Sequence, residues 1–265
     1  MNEHDYLGYS NICKLCSEND VVFNNFKSNK IYNGILEHVN YELGIKYLDL
    51  LYTKFSNYIN NINFDKILEN DRIGNPTKYN FVEYIIKYNL KLNTTFISPT
   101  TLRYLVIGLD ILYNYTKNNK NQSLDIIEIG GGYAGQCKII YDLANIFNIV
   151  INSYTIIDLE NVIKLQKKYL NIVGDYKVNF ISSNNINSSI LLHKYDLFIS
   201  NYALGELMPI SLQDLYINLV VSKSLNVYII WNMTEINDYF KNDKFIIENE
   251  IPQTGINNVL ITTNK

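Results

Sequence analysis

Residues 126–135 read Ile126-Ile127-Glu128-Ile129-Gly130-Gly131-Gly132-Tyr133-Ala134-Gly135. An apolar, β-branched run enters three glycines and leaves into a helix-like stretch over 134–147. Glycine is needed where backbone turns tightly or approaches a ligand with no Cβ in the way. A strand, a glycine turn and a helix, in that order, put a ligand at the strand's carboxyl end, against the helix N-terminus. The glycines also satisfy G-x-G-x-x-G at Gly130, Gly132 and Gly135, a frame that several nucleotide-binding classes share. Further on, Tyr154-Thr155-Ile156-Ile157-Asp158 ends a second strand in a carboxylate. An acid there can accept hydrogen bonds from two ribose hydroxyls, and the spacing of 28 residues from Gly130 fits one helix plus one strand. Glu160, two residues later, belongs to the next helix start, where a negative charge suits the dipole.

Outward from this unit the pattern alternates. Strand-like runs cover 125–129, 149–157, 177–181, 196–200, 226–231, 244–248 and 258–263, and helix-like stretches cover 134–147, 160–172, 186–193 and 207–222. Short apolar runs separated by helices imply a parallel sheet. The last two runs are about nine residues apart, with Pro252 and Gly255 between them, too close for a parallel crossover, so the final strand should run antiparallel. Seven strands with the last reversed resemble the Rossmann-like class I methyltransferase sheet. Before residue 120 the periodicity is helical. Ile35, Val39, Leu43, Leu48 and Leu51 recur along one face of 31–51, and 81–90 and 102–115 read alike. Gly74-Asn75-Pro76 is a turn, and Ser98 precedes Pro99 as an N-cap. The expected division is a helical cap over 1–120, closed by the polar stretch 117–122, and a cofactor-binding α/β domain over 121–265.

The chain has 265 residues, enough for one large or two modest domains. Its net charge of −3 and its two arginines, Arg72 and Arg103, argue against a nucleic-acid binder relying on a basic field. The 23 Tyr and about 40 Asn read as codon bias in an AT-rich genome. No apolar run is long enough to span a membrane, the opening MNEHDYLGYS lacks the regions of a signal peptide, and three cysteines suit a reducing compartment. A cytoplasmic protein is therefore expected. Cys13-Lys14-Leu15-Cys16 has no second ligand pair for a zinc site and reads as two small core side chains.

Several segments resemble the sugar O-methyltransferase family. They are Ile35-Leu36-Glu37-His38-Val39, Gly44 to Leu48, Ile73-Gly74-Asn75-Pro76, Ser98-Pro99-Thr100-Thr101-Leu102-Arg103-Tyr104, Glu128 to Gln136, Ile157-Asp158-Leu159, Leu165-Gln166 with Tyr169-Leu170, and Ser200-Asn201-Tyr202 through Glu206-Leu207. The resemblance spans roughly 31 to 263. Ala134 departs from it where a second glycine is usual, and Glu160 where a proline is. The resemblance implies S-adenosylmethionine as cofactor and a sugar or nucleotide-sugar as acceptor. It also implies cofactor contacts at Glu128, Gly130, Gly132, Tyr133, Asp158, Ser182, Ser183 and Asn201.

The chemistry adds roles. A sugar hydroxyl must lose its proton as it attacks, so a general base is expected. His38 and Glu206 are the candidates, the histidine by its ordinary pKa and the glutamate by its place after the fourth strand. The segment after that strand holds a single carboxylate, which speaks for a metal-independent reaction. Arg103, in a lysine-rich chain, offers a planar fork for the cofactor carboxylate or a phosphate. Tyr202 is a candidate to hydrogen-bond cofactor or sugar, and Trp231, at the end of the fifth strand, is a substrate-binding candidate that packs either against a sugar face or in the core. An Asn/Asp-Pro-Pro-Tyr/Phe loop is absent after the fourth strand, against base methylation. A methyltransferase acting on a non-sugar small molecule or a protein, or a silent nucleotide-binding module, remains the alternative. The sequence leaves the oligomeric state open, a homodimer included.

Overall fold

A computed structural model describes residues 3–119, 122–186 and 193–264. In chain order the helices are α1 (Glu3–Glu18), α2 (Asp20–Phe23), α3 (Lys30–Leu36), α4 (Tyr41–Ile59), α5 (Phe64–Leu68), α6 (Val82–Lys87), α7 (Pro99–Asn118), α8 (Gly135–Ala144), α9 (Glu160–Val173) and α10 (Ile210–Leu219). The strands are β1 (Tyr79–Asn80), β2 (Phe96–Ile97), β3 (Ser123–Ile129), β4 (Val150–Asp158), β5 (Val178–Ser182), β6 (Tyr195–Asn201), β7 (Ser224–Trp231), β8 (Phe245–Asn249) and β9 (Val259–Thr263).

Strands β3 to β9 form one seven-stranded sheet in the order β5-β4-β3-β6-β7-β9-β8. All neighbours are parallel except β9, which runs antiparallel to both β7 and β8. This is the Rossmann-like methyltransferase sheet expected from the sequence, with each of the seven runs in its place. The strands are apolar on both faces because both are covered. Ile126, Leu197, Ile199, Tyr228 and Ile230 point into the larger core, while Ile127, Phe198, Val227, Ile229 and Trp231 point into a second core on the other side. The two-residue repeat of a strand thus sorts neighbours to opposite faces.

The larger core also takes in the N-terminal helices: Cys13, Tyr32, Tyr47, Leu51 and Leu109 belong to the same cluster as Tyr133, Tyr154 and Tyr169. Cys13 and Cys16 are buried and free, as small core side chains, and burial pushes the Cys16 thiol up to about 11. Lys27 is fully buried, its Nζ 4.2 Å from the Tyr133 ring centroid and donating to Asn70 O at 2.6 Å. Asn70 Oδ1 also accepts from the Tyr133 and Tyr169 hydroxyls at 3.1 and 2.7 Å. One buried amide therefore ties the N-terminal helices to the glycine turn and to α9.

Three details differ from the sequence reading. The single helix expected over 31–51 is two, broken at 37–40, because Asn40 Oδ1 accepts from Leu43 N at 2.9 Å and starts α4 afresh. Ser98 sits at the N-cap of α7 without a side-chain cap bond; its own N–H donates to Asp71 Oδ2 at 2.8 Å. The helix expected over 186–193 falls on residues 187–192, outside the described residues, as do 120 and 121 of the polar stretch. Among the described residues no helix is long and apolar enough to cross a membrane.

Candidate functional site

The carboxyl ends of β3 to β8 open into one cleft of about 940 Å³. Ligands of open α/β sheets bind at this edge. Along the strand order its wall runs from Ser183 after β5, through Asp158 at the end of β4 and Gly130 and Gly132 after β3, to Asn201 and Tyr202 after β6 and Asn232 and Met233 after β7. Thr254, Ile256 and Asn258 of the β8–β9 loop close that end. The roof comes from the cap: Gly8 and Tyr9 of α1, Ile31 to Leu36 on α3, His38, and Arg103 of α7.

The glycine turn has a steric reason. Gly130 has φ +75°, and a Cβ there would stand 2.2 Å from Ala203 Cβ, so the turn after β3 and the turn after β6 meet where only glycine fits. Beside it Asp158 opens onto the cleft and is enclosed on its other sides. Its Oδ1 accepts from Leu159 N and its Oδ2 from Gln166 Nε2, both at 2.8 Å. Enclosure outweighs these bonds and pushes its pKa up to about 7.

Arg103 is 3% exposed and lines the cleft. Its guanidinium donates to Leu36 O at 2.9 Å and lies 5.3 and 5.6 Å from the Tyr104 and Tyr202 ring centroids. No carboxylate among the described residues forms an ion pair with it, and its Nε has no hydrogen-bond partner. The buried Glu37 carboxylate and the Tyr104, Tyr202 and Tyr47 hydroxyls act on its charge, and its planar fork stands at the cleft wall.

His38 and Glu206 both line the cleft. Burial of the inner side of His38, with the Arg103 charge near, lowers its pKa and favours neutral imidazole. Glu206 accepts from Asn232 Nδ2 at 2.7 Å, and burial raises its pKa. It lies on a turn whose Gly205 could carry no Cβ, since one would stand 2.5 Å from Asn232 O.

Of the residues named from the sequence, His38, Arg103, Gly130, Gly132, Asp158, Ser183, Asn201, Tyr202 and Glu206 line the one cleft. Four do not. Trp231 is 1% exposed and faces the second core, because the alternation of β7 puts it with Val227 and Ile229; its Nε1 donates to Thr234 O at 3.0 Å and its ring packs on Phe240. Tyr133 is drawn into the aromatic cluster of Phe26, Tyr104 and Tyr169. Ser182 is buried and its hydroxyl caps Asn184 N at 3.4 Å. Glu128 is 2% exposed, a layer behind the cleft, accepting from Tyr154 Oη at 2.9 Å, and burial raises it to about 7.

The sequence reading missed Tyr9, Asn232 and the β8–β9 loop. Glu250 anchors that loop: its carboxylate accepts from the Tyr202 hydroxyl, from Thr254 N at 2.9 Å and from Asn258 Nδ2 at 3.0 Å. The signal available was a run of polar residues after a strand, which is common. Among the described residues no three His, Cys, Asp or Glu side chains cluster as metal ligands.

No family model matches the chain, and no curated protein matches it. Solved structures resemble it at low identity. TrmK of M. capricolum in complex with S-adenosyl-homocysteine is 19% identical over 58% of this chain and 67% of its own, with a TM-score of 0.40. The magnesium protoporphyrin IX methyltransferase ChlM from Synechocystis PCC 6803, with bound SAM, is 13% identical over 86% of this chain and 100% of its own, with a TM-score of 0.43. The plantazolicin methyltransferase BpumL in complex with SAH is 20% identical over 71% of this chain and 59% of its own, with a TM-score of 0.36.

Proposed function

We propose that the protein is an S-adenosylmethionine-dependent methyltransferase that methylates a sugar hydroxyl. The observation that carries this reading is the pairing of Asp158 and Arg103 across one glycine-floored cleft. A carboxylate at the end of β4 suits a ribose diol, and a guanidinium in the cleft wall suits the carboxylate of an amino-acid moiety. The donor set therefore fits a cofactor that carries both groups. Asn201 adds a buried Oδ1 with no partner in the same wall, for the cofactor's ammonium once the side chain turns outward.

When bound, S-adenosylmethionine supplies a methyl group on an already activated leaving group. The protein's own work is then alignment and proton removal. The N-terminal helices stand over the strand edge, and His38 lines the same cleft as Glu206. An acceptor hydroxyl placed between the cofactor and these side chains would give up its proton to His38 Nδ1 or Nε2, or to the Glu206 carboxylate, as it took the methyl group the cofactor would supply. Burial and the Arg103 charge lower the His38 pKa and favour neutral imidazole, and burial raises the Glu206 pKa, which makes its carboxylate a stronger base.

Calorimetry tests the cofactor: S-adenosylhomocysteine should bind and NAD should not, and binding of NAD alone would overturn the reading. Labelled donor with a panel of sugars and glycans tests the acceptor class. His38→Ala and Glu206→Gln should keep cofactor affinity while at least one loses turnover. Full activity in both would remove the base assignment.

A further inference from the structure

The cleft changes character along its length. At the β5–β4–β3 end the wall is the glycine turn and Asp158. At the other end, the loops after β7 and β8 raise apolar side chains into solvent at the mouth: Met233 is 70% exposed and Ile256 is 92% exposed, and both line the cleft. Neither sits on a loose segment. Met233 is held at φ +63°, a left-handed conformation that strains a methionine and persists only where the surroundings enforce it. Ile256 rides on the loop that Glu250 anchors through Thr254 and Asn258. Met233 and Ile256 line the same cleft as Glu206 and Asn232, so this end of it joins apolar side chains to a few polar groups, the make-up of a ligand pocket.

The charge in the cleft narrows what the ligand is. Among the described residues no lysine lines it, and its basic side chains are His38 and Arg103. With Arg103 given to the cofactor carboxylate, nothing remains to neutralise a diphosphate, which ordinarily draws several charged donors. We infer that the acceptor is a neutral sugar carrying an apolar aglycone, its hydroxyl at Glu206 and His38 and its apolar part on Met233 and Ile256, and that it is not a nucleotide-sugar. The inference rests on the methyltransferase reading, with the cofactor in the β5–β4–β3 half.

The test uses the full chain saturated with S-adenosylhomocysteine and a neutral naphthylamine fluorophore as a probe of the apolar surface. The probe should bind. Octyl glucoside below its micelle concentration should displace it at least ~10-fold more effectively than methyl glucoside, and UDP-glucose should not displace it. Met233→Lys and Ile256→Lys should each weaken probe and octyl glucoside about tenfold and leave S-adenosylhomocysteine affinity unchanged. Displacement by UDP-glucose as effective as by octyl glucoside, or undiminished probe binding in both variants, would overturn the inference. Absence of S-adenosylhomocysteine binding to the unmodified protein would instead overturn the cofactor reading beneath it, so the two failures are distinguishable.

Discussion

At the scale of single residues, Asp158 and Glu128 titrate near neutrality because both are enclosed by protein, each pushed up to about 7. They differ in what they face. Under the proposed cofactor contact, ribose hydroxyls donating to Asp158 would favour its ionised form, so binding would release a proton. Affinity for S-adenosylhomocysteine should rise from pH 6 to about 8 and then level, and Asp158→Asn should flatten the profile while weakening binding; calorimetry across pH reads both. Glu128 is buried behind the wall, bonded to Tyr154 and raised further by the nearby Asp158 carboxylate, so its shift appears in stability. Its folded-state pKa lies above its unfolded value, so the folded state holds the extra proton between about pH 4.5 and 7. Stability falls as pH rises through that window. Glu128→Gln should remove its share of that slope, the share of Asp158 remaining, and melts at pH 8 should favour the variant by about 3 kcal/mol relative to their difference at pH 4.5. The glycine turn and Asp158 were legible because strand–glycine–helix order forces their position. The fates of Tyr133 and Trp231 were not. One was decided by Asn70, 63 residues away in the chain, and the other by which face a two-residue repeat sends it to.

Elements set the geometry these residues need. The break between α3 and α4 turns His38 from a mid-helix residue into a rim residue of the cleft. Apolar spacing continues unbroken through 35–51, so periodicity hides the break, and only the capping chemistry of Asn40 marks it. In a chain with so many asparagines that mark is easily lost. The loop from 250 to 258 depends on Glu250, whose two oxygens accept several bonds in a buried setting. Glu250→Gln puts an amide donor where donors already point. Acceptor KM should rise about tenfold with cofactor affinity unchanged, and amide exchange should quicken in 251–258. Equal loss of kcat and cofactor affinity would mark Glu250 as general scaffolding instead.

For the molecule as a whole, we propose that the helical cap over 1–120 and the sheet layer over 121–265 serve as two functional regions of one folding unit. A single hydrophobic cluster runs from Cys13 and Tyr32 through Leu109 to Tyr154 and Tyr169. Calorimetric unfolding should give one transition with matching calorimetric and van't Hoff enthalpies; two separated transitions would divide the chain where the composition changes. That change of pattern was readable in the sequence because it is local. The sharing of one core was not, because it depends on aromatic residues far apart in the chain meeting around Lys27.

Trp231 is the chain's one tryptophan, and it lies behind the cleft wall rather than in it. Its indole N–H is bonded to the carbonyl of Thr234, and the residues between them, Asn232 and Met233, form that wall. A molecule pressing on Met233 therefore tugs on the hydrogen bond that tunes the indole's excited state. The protein carries its own optical sensor, wired to one half of the cleft. Selective excitation of Trp231 should give emission that shifts when an alkyl glycoside is added and stays fixed with S-adenosylhomocysteine alone, which separates the two occupants without any label.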